Sequence, residues 1–335
     1  MGSFEISLQT SSNQIQSFFN NNPGWGVRGA VIRITKAGEG NMNVVLRIQT
    51  DKDESIILKQ SRSYVNKYPA IAAPVDRIAV EYSFYKTIDE YPVLAGFMPQ
   101  LIGYDAKHHL LAIEDLGEGS DYTYLYQRST EWPAELNQQA YHFLSILHHL
   151  PAPVHYPDNL ELRKLNAVHL FDYPFQNDHG FDLDQIQTGL QKLAQPFRQN
   201  ENLREHIQVL RDRYLLPGNH LLHGDFYPGG WLHAASGFKV IDPEFSFIGP
   251  AEFDIGVFMA HQYMAHQSDE TVQFFLKSYR APEDFSHQLC FQYCGVEILR
   301  RLIGLAQLPV DLRLEEKHLL LERAVGMVVG DYPLL

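Results

Sequence analysis

The sequence predicts an α+β chain of two lobes, a small antiparallel-sheet lobe with one helix and a larger, mainly helical one. Three observations carry the prediction. Apolar, β-branched runs broken by short polar or glycine-bearing turns dominate the first third, the glycine-rich stretch Leu116-Gly117-Glu118-Gly119 follows, and beyond it apolar residues recur at helical spacing. The expected lobes are residues 1–115 and 120–335, with 116–119 as the hinge.

Val31 to Lys36 and Met42 to Thr50 flank Gly38-Glu39-Gly40-Asn41, a hairpin signal with a glycine-bearing loop. Ser55 to Gln60 reads as a third strand after Asp51-Lys52-Asp53. Asp76 stands where it would cap a helix from Arg77 to about Glu90, with Ile78, Tyr82 and Tyr85 on one face. Short strands near Gln100–Tyr104 and Leu110–Glu114 complete the first lobe. In the second, Pro133 suits a first helical turn, and Leu136, Ala140, Phe143, Leu144 and Leu147 keep helical spacing behind it. Further helices are expected near 185–214, 252–266, 269–280, 285–307 and 312–328, with a loop over Leu221–Leu232 and a short strand at Phe238–Ile241. A strand-rich lobe joined by a glycine hinge to a helix-rich lobe is the layout of the protein-kinase-like fold.

Composition narrows the function classes. The net charge of −13 disfavours a nucleic-acid partner, which would need a basic face to displace counterions. It would suit a cationic substrate, though acidity by itself mainly concerns solubility. No stretch has the apolar length of a membrane span. Met1 to Asn13 lacks the basic start and apolar run of a signal peptide, and Ile6 stands where a myristoylated Gly2 would need Ser or Thr, so a cytoplasmic location is expected. Cys290 and Cys294, the only cysteines, read as reduced, buried thiols, because one C-x-x-x-C lacks the further ligands of a zinc site. His108-His109 and His148-His149 read as surface or core histidines for the same reason. A homodimer stays open.

The chemistry lies in Leu222-His223-Gly224-Asp225, Val240-Ile241-Asp242-Pro243-Glu244 and Phe253-Asp254-Ile255-Gly256. Phosphoryl transfer needs a carboxylate to orient the attacking hydroxyl and accept its proton, and oxygen ligands for magnesium on the nucleotide phosphates. Asp225 can serve the first need and Asp242 with Glu244 the second; on a strand, residues i and i+2 share a face. Like charges so close favour a bound cation. Upstream, Gly38, Gly40, Asn41 and Asn43 form a partial glycine loop. Lys59 ends the strand Ile-Ile-Leu-Lys, where its ammonium could meet phosphates, and Glu81 on the next helix could pair with it. Glu114 and Leu116 stand at the border of the first lobe and the expected hinge.

These segments closely resemble the aminoglycoside phosphotransferase and choline kinase superfamily. The resemblance implies ATP and Mg2+ as cofactors and a small-molecule hydroxyl acceptor. It implies Asp225 as catalytic base, Asp242 and Glu244 as metal ligands, main-chain groups at Glu114 and Leu116 as the contact to adenine, and His223 and Asp254 as supports of the catalytic loop. Within the superfamily, Gly38-Glu39-Gly40-Asn41-Met42-Asn43, Leu58-Lys59-Gln60, Tyr64-Val65, Pro74-x-Asp76-Arg77-x-x-x-Glu81, Asp242-Pro243-Glu244-Phe245 and Gly249-Pro250 resemble methylthioribose kinases. So does Arg300-Arg301-x-Ile303-Gly304-Leu305-Ala306, which implies Arg300 and Arg301 as substrate-binding residues beside Asp225. Adjacent residues on a helix diverge by about 100°, so both reach one ligand only with suitable placement. Two departures stand out: Gly230 occupies the place of a frequent metal-binding asparagine, and Ala70-Ile71-Ala72-Ala73 replaces a loop tryptophan. The expected activity is transfer to a sugar hydroxyl, 5-methylthioribose or a related pentose. An aminoglycoside or amino-alcohol phosphotransferase is the first alternative, and Gly230 motivates a second, a nucleotide-binding pseudokinase.

Overall fold

Side chains alternate across a strand, and that alternation organises the first half of the molecule. A computed structural model describes residues 4–38 and 40–332; Gly2 and Glu39 of the sequence reading lie outside the described residues. The chain forms two compact units, one running to Ser120 and adding Leu232–Phe245, the other comprising Asp121–Trp231 and the chain from Ser246 onward.

The first unit begins with helix α1 (Ser12–Asn21), followed by strands β1 (Val31–Lys36), β2 (Val44–Thr50), β3 (Ser55–Gln60), β4 (Tyr64–Val65) and β5 (Tyr68–Ala72). Helix α2 (Arg77–Asp89) precedes strands β6 (Leu101–Asp105) and β7 (Leu110–Glu114). Five strands form an antiparallel sheet in the order β1-β2-β3-β7-β6, while β4 and β5 pair as a separate hairpin. Leu46, Ile48, Ile56, Leu58, Leu110 and Ala112 alternate onto one face and bury themselves with Ile15, Phe18 and Phe19 of α1. Lys59, next to Leu58, is thereby turned to the opposite face. There α2 buries Ile78, Glu81, Tyr85 and Ile88; Tyr82, expected on that stripe, is only partly covered and stacks on Tyr104 at 4.3 Å.

Helix α1 departs from the strand-rich reading of the first third. Its signal is a capping box, in which Ser11 accepts from the Gln14 amide and the Gln14 side chain from the Ser11 amide. The expected cap at Asp76 is absent. Its backbone is already helical, so its carboxylate is not set to accept from the first-turn amides.

The second unit is mainly helical. Ala134–Leu147 buries Leu136, Ala140, Phe143, Leu144 and Leu147, with Pro133 one place earlier than expected, at the cap. Leu160–Ala167, a helix that the sequence pattern does not predict, runs into a π-helical turn at Val168–Asp172. The single helix expected over 185–214 is two, Leu190–Arg198 and Glu201–Leu215, because Asn200 leaves helical backbone and caps the second by accepting from Leu203 N. Every residue of Glu252–Met264 is buried. A Cβ on Gly256 of that helix would lie 2.7 Å from Cys290 O, so the bare backbone permits its close approach to His287–Ile303. The helices Asp269–Leu276 and Leu314–Val329 complete the unit, and Cys290 and Cys294 are buried and free. The strand His220–Leu222 pairs antiparallel with Phe247–Gly249 and delivers the chain to His223-Gly224-Asp225. Among the described residues no helix is long and apolar enough to cross a membrane.

Candidate active site

The first unit gathers Lys59, Glu81, Asp242, Glu244 and Asn43. Lys59 is 4% exposed, and its ammonium donates to Glu81 Oε1 at 2.6 Å and to Asp242 Oδ1. Burial would lower such an ammonium, yet Asp242 and Glu81 hold it well above the lysine range. Burial pushes the Glu81 carboxyl up while Lys59 pulls it down.

Asp242 and Glu244 do not share a strand face. Asp242 sits at φ 61°, and Pro243–Phe245 forms a 3-10 turn. Left-handed backbone is uncommon outside glycine and is tolerated best by Asn and Asp. It leaves the Asp242 carboxylate 49% exposed while Glu244 turns inward. Asn43 Nδ2 donates to Glu244 Oε2 at 2.9 Å, and Arg77 Nε lies 3.4 Å from the same oxygen. Asn43, read in the sequence as part of the phosphate loop, thus also braces this carboxylate. Arg77 went unassigned although Arg77-x-x-x-Glu81 puts both residues on one helix face. It donates to Asn43 Oδ1 and to the carbonyls of Met42, Arg62 and Pro74, binding loop, hairpin and helix together.

Gly38 and Gly40 lie at φ 75° and 56°. Their loop is tied to the β4–β5 hairpin, with Asn66 donating to Gly40 O and Lys67 N to Asn41 O. Ala70–Ala72, part of the segment that departs from the resemblance by lacking a loop tryptophan, belongs to β5. Glu114 closes β7 and binds Gln100 through both its amide and its carboxylate. Beyond it Arg47 reaches Asp115 Oδ1 and Gly117 O, anchoring the chain around Leu116.

Oxygen donors such as Asp242 and Glu244 suit magnesium, which keeps several waters and uses one or two carboxylates plus phosphates. Among the described residues no three His, Cys, Asp or Glu side chains form a metal cage. Glu244 is pushed up to about 8 by burial and then by Glu81, with Arg77 opposing. A cation at this carboxylate would reverse that penalty, so the residues fit the ion.

The second unit gathers Asp225, Arg300 and Arg301. Gly224, at φ 83°, makes the turn that presents Asp225. Asp254 fixes it, accepting from His223 N at 2.7 Å and Gly224 N at 2.9 Å, with His148 Nε2 at 3.3 Å behind. Asp225 Oδ1 lies 3.5 Å from Arg301 Nη2 and 3.8 Å from Arg300 Nη1. Burial raises its pKa, against the two guanidiniums. The adjacent arginines therefore converge, helped by a residue the sequence reading missed. Glu297 accepts from Arg300 Nη1 at 2.9 Å and Arg301 Nε at 2.5 Å. Its signal was the spacing of three and four residues. The Arg301 guanidinium also lies over the Tyr227 ring at 4.8 Å. Gly230, in a 3-10 turn, donates its amide to Tyr227 O.

The model of the phosphotransferase enzyme family matches residues 33–287, well over half of the chain. A methylthioribose kinase of Exiguobacterium sibiricum is 26% identical over 333 residues, covering 85% of this chain and 83% of its own. Among solved structures, a choline kinase of Streptococcus pneumoniae aligns with a TM-score of 0.51 at 13% identity, covering 95% and 99% of the two chains. An AMP-bound spectinomycin phosphotransferase gives 0.53 at 12%, covering 95% and 98%. These structural likenesses carry the fold, which is α+β and protein-kinase-like.

Proposed function

The chain belongs to the phosphotransferase enzyme family, and from that premise we propose that it is an ATP- and magnesium-dependent kinase for a sugar hydroxyl, 5-methylthioribose or a related pentose. The observation that carries the reading is the half-buried Asp225 carboxylate with two guanidiniums within 4 Å. The acceptor hydroxyl loses its proton to Asp225 as its oxygen bonds to the γ-phosphorus. The bond from that phosphorus to the β,γ-bridging oxygen breaks, and ADP leaves with the electron pair. Arg300 and Arg301 orient the acceptor and offset charge developing on the phosphoryl oxygens. Lys59, held by Glu81, binds the α- and β-phosphates. Gly38, Gly40, Asn41 and Asn43 cover the phosphates, and backbone at Glu114 and Leu116 meets the adenine. Asp242 and Glu244 would hold magnesium, which when bound neutralises phosphate charge. His223 and Asp254 keep the catalytic loop in place.

The methylthioribose kinase relative supports the pentose, and the guanidinium pair disfavours a polycationic aminoglycoside, which it would repel. The test is ATP consumption with 5-methylthioribose beside other pentoses, kanamycin and choline. Turnover confined to a pentose is expected; turnover with kanamycin or choline alone would refute the acceptor class.

A further inference from the structure

The helix His287–Ile303 carries a buried carboxylate to which the reaction above gives no task. Glu297 is fully buried and takes donors from three side chains: Arg300, Arg301 and His261, whose Nε2 lies 3.2 Å away. Burial holds the His261 imidazole down to about 4 against the pull of Glu297. Neutral at ordinary pH, it donates from Nε2 to the carboxylate and accepts the Tyr126 hydroxyl at Nδ1, 2.7 Å away. Glu297 is thus anchored from behind while it holds the guanidiniums that face Asp225.

We propose that Glu297 is a positioning residue for phosphoryl transfer, gathering Arg300 and Arg301 onto Asp225 and balancing their charge so that Asp225 stays a usable proton acceptor. The inference rests on the reading of Asp225 as the base. Two guanidiniums against one carboxylate leave a surplus positive charge beside it; Glu297 removes the surplus. Burial raises the Asp225 carboxyl, Arg301 and Arg300 lower it, and Glu297 raises it again. The other titratable groups facing the cluster are His223 on the catalytic loop, Tyr126, Tyr214, Tyr227, and His169 on the π-helical turn. Burial and then the two arginines hold His169 down to about 4, and burial raises Tyr126 and Tyr214, so these three stay neutral near pH 7. On α-helical geometry Glu297 shares a face with both arginines, which would otherwise diverge.

The test is a carbon-13 NMR titration of the Asp225 carboxyl, assigned by its loss in Asp225→Asn, with the pH dependence of kcat measured in parallel. Glu297→Gln keeps the side chain's shape and removes its charge. It is expected to move the Asp225 midpoint down by about one pH unit or more and to lower kcat roughly tenfold. Arg300→Gln should move the midpoint up, and the double variant should bring it back toward wild type, which a purely structural role would not do. If Glu297→Gln fails to fold, Arg300→Gln and the double variant still test the signs. A folded Glu297→Gln with an unmoved midpoint, or a double variant that restores nothing, overturns the inference. If Asp225→Asn keeps wild-type turnover, the base assignment falls and this inference with it. If Asp225→Asn is inactive and the midpoints do not move, this inference alone falls.

Discussion

Asp254 accepts the backbone amides of His223 and Gly224 on its two carboxylate oxygens, at 2.7 and 2.9 Å, so one buried side chain sets the turn that ends in Asp225. Replacing it with Ala leaves two buried donors without partners, each costing about 1–3 kcal/mol. Asp254→Ala should therefore lose about 2–6 kcal/mol in urea denaturation. Asp254→Asn, which retains an acceptor oxygen, should lose less.

Gly224→Ala tests the same turn from the backbone side. A side chain at φ 83° costs on the order of 1–2 kcal/mol. The expected outcome is a small loss of stability with a larger loss of kcat, since a shift of Asp225 by about 1 Å can cost roughly a hundredfold. Denaturation and steady-state kinetics on one preparation check both.

The Lys59–Glu81 pair should matter to nucleotide rather than acceptor. Breaking a buried pair by removing one partner costs about 3–5 kcal/mol when the other is left without a counter-charge, and because Asp242 still pairs Lys59 the loss here should fall below that range. Glu81→Ala should accordingly lower the melting temperature and raise the KM for ATP about tenfold or more. The KM for acceptor should change little.

Asp242→Ala should abolish the magnesium-dependent part of ADP binding in calorimetry and match wild-type protein treated with a chelator. A variant that keeps magnesium-dependent binding would remove Asp242 as a ligand.

Acid stability carries a signature of His261. Its folded pKa of about 4 lies below the ordinary histidine value near 6.5. Between those pH values the unfolded chain binds a proton that the folded chain does not, so stability falls as pH falls through that window. The contribution is about 1.4 kcal/mol per pH unit. His261→Gln should flatten the fall between pH 6.5 and 4 by about one proton's worth, read from denaturation midpoints.

Where a local rule dominates, the sequence foretold the structure. β-branched runs became β1 to β3, and helical spacing placed Ala134–Leu147. Lys59 and Glu81 meet because strand alternation and helix phase both point inward. The misses need three-dimensional context. Nothing local marks Asp242 as left-handed, since the residue is not glycine, yet that conformation separates the environments of Asp242 and Glu244. Helix α1 went unread although its capping box is present, because it buries only three apolar residues. Glu297 was hidden because a glutamate three and four places before arginines usually marks a solvated face; here the helix is buried.

The most direct measurement is phosphoryl transfer by Asp225→Ala beside wild type, with 5-methylthioribose as acceptor and phosphorus-31 NMR to identify the product. Wild type should convert ATP to ADP and phosphorylated sugar in equal amounts. The variant should turn over roughly 10²–10⁴-fold more slowly while binding Mg-ADP with unchanged affinity. Near-normal turnover by Asp225→Ala would contradict the assignment of Asp225 as the base on which the account rests.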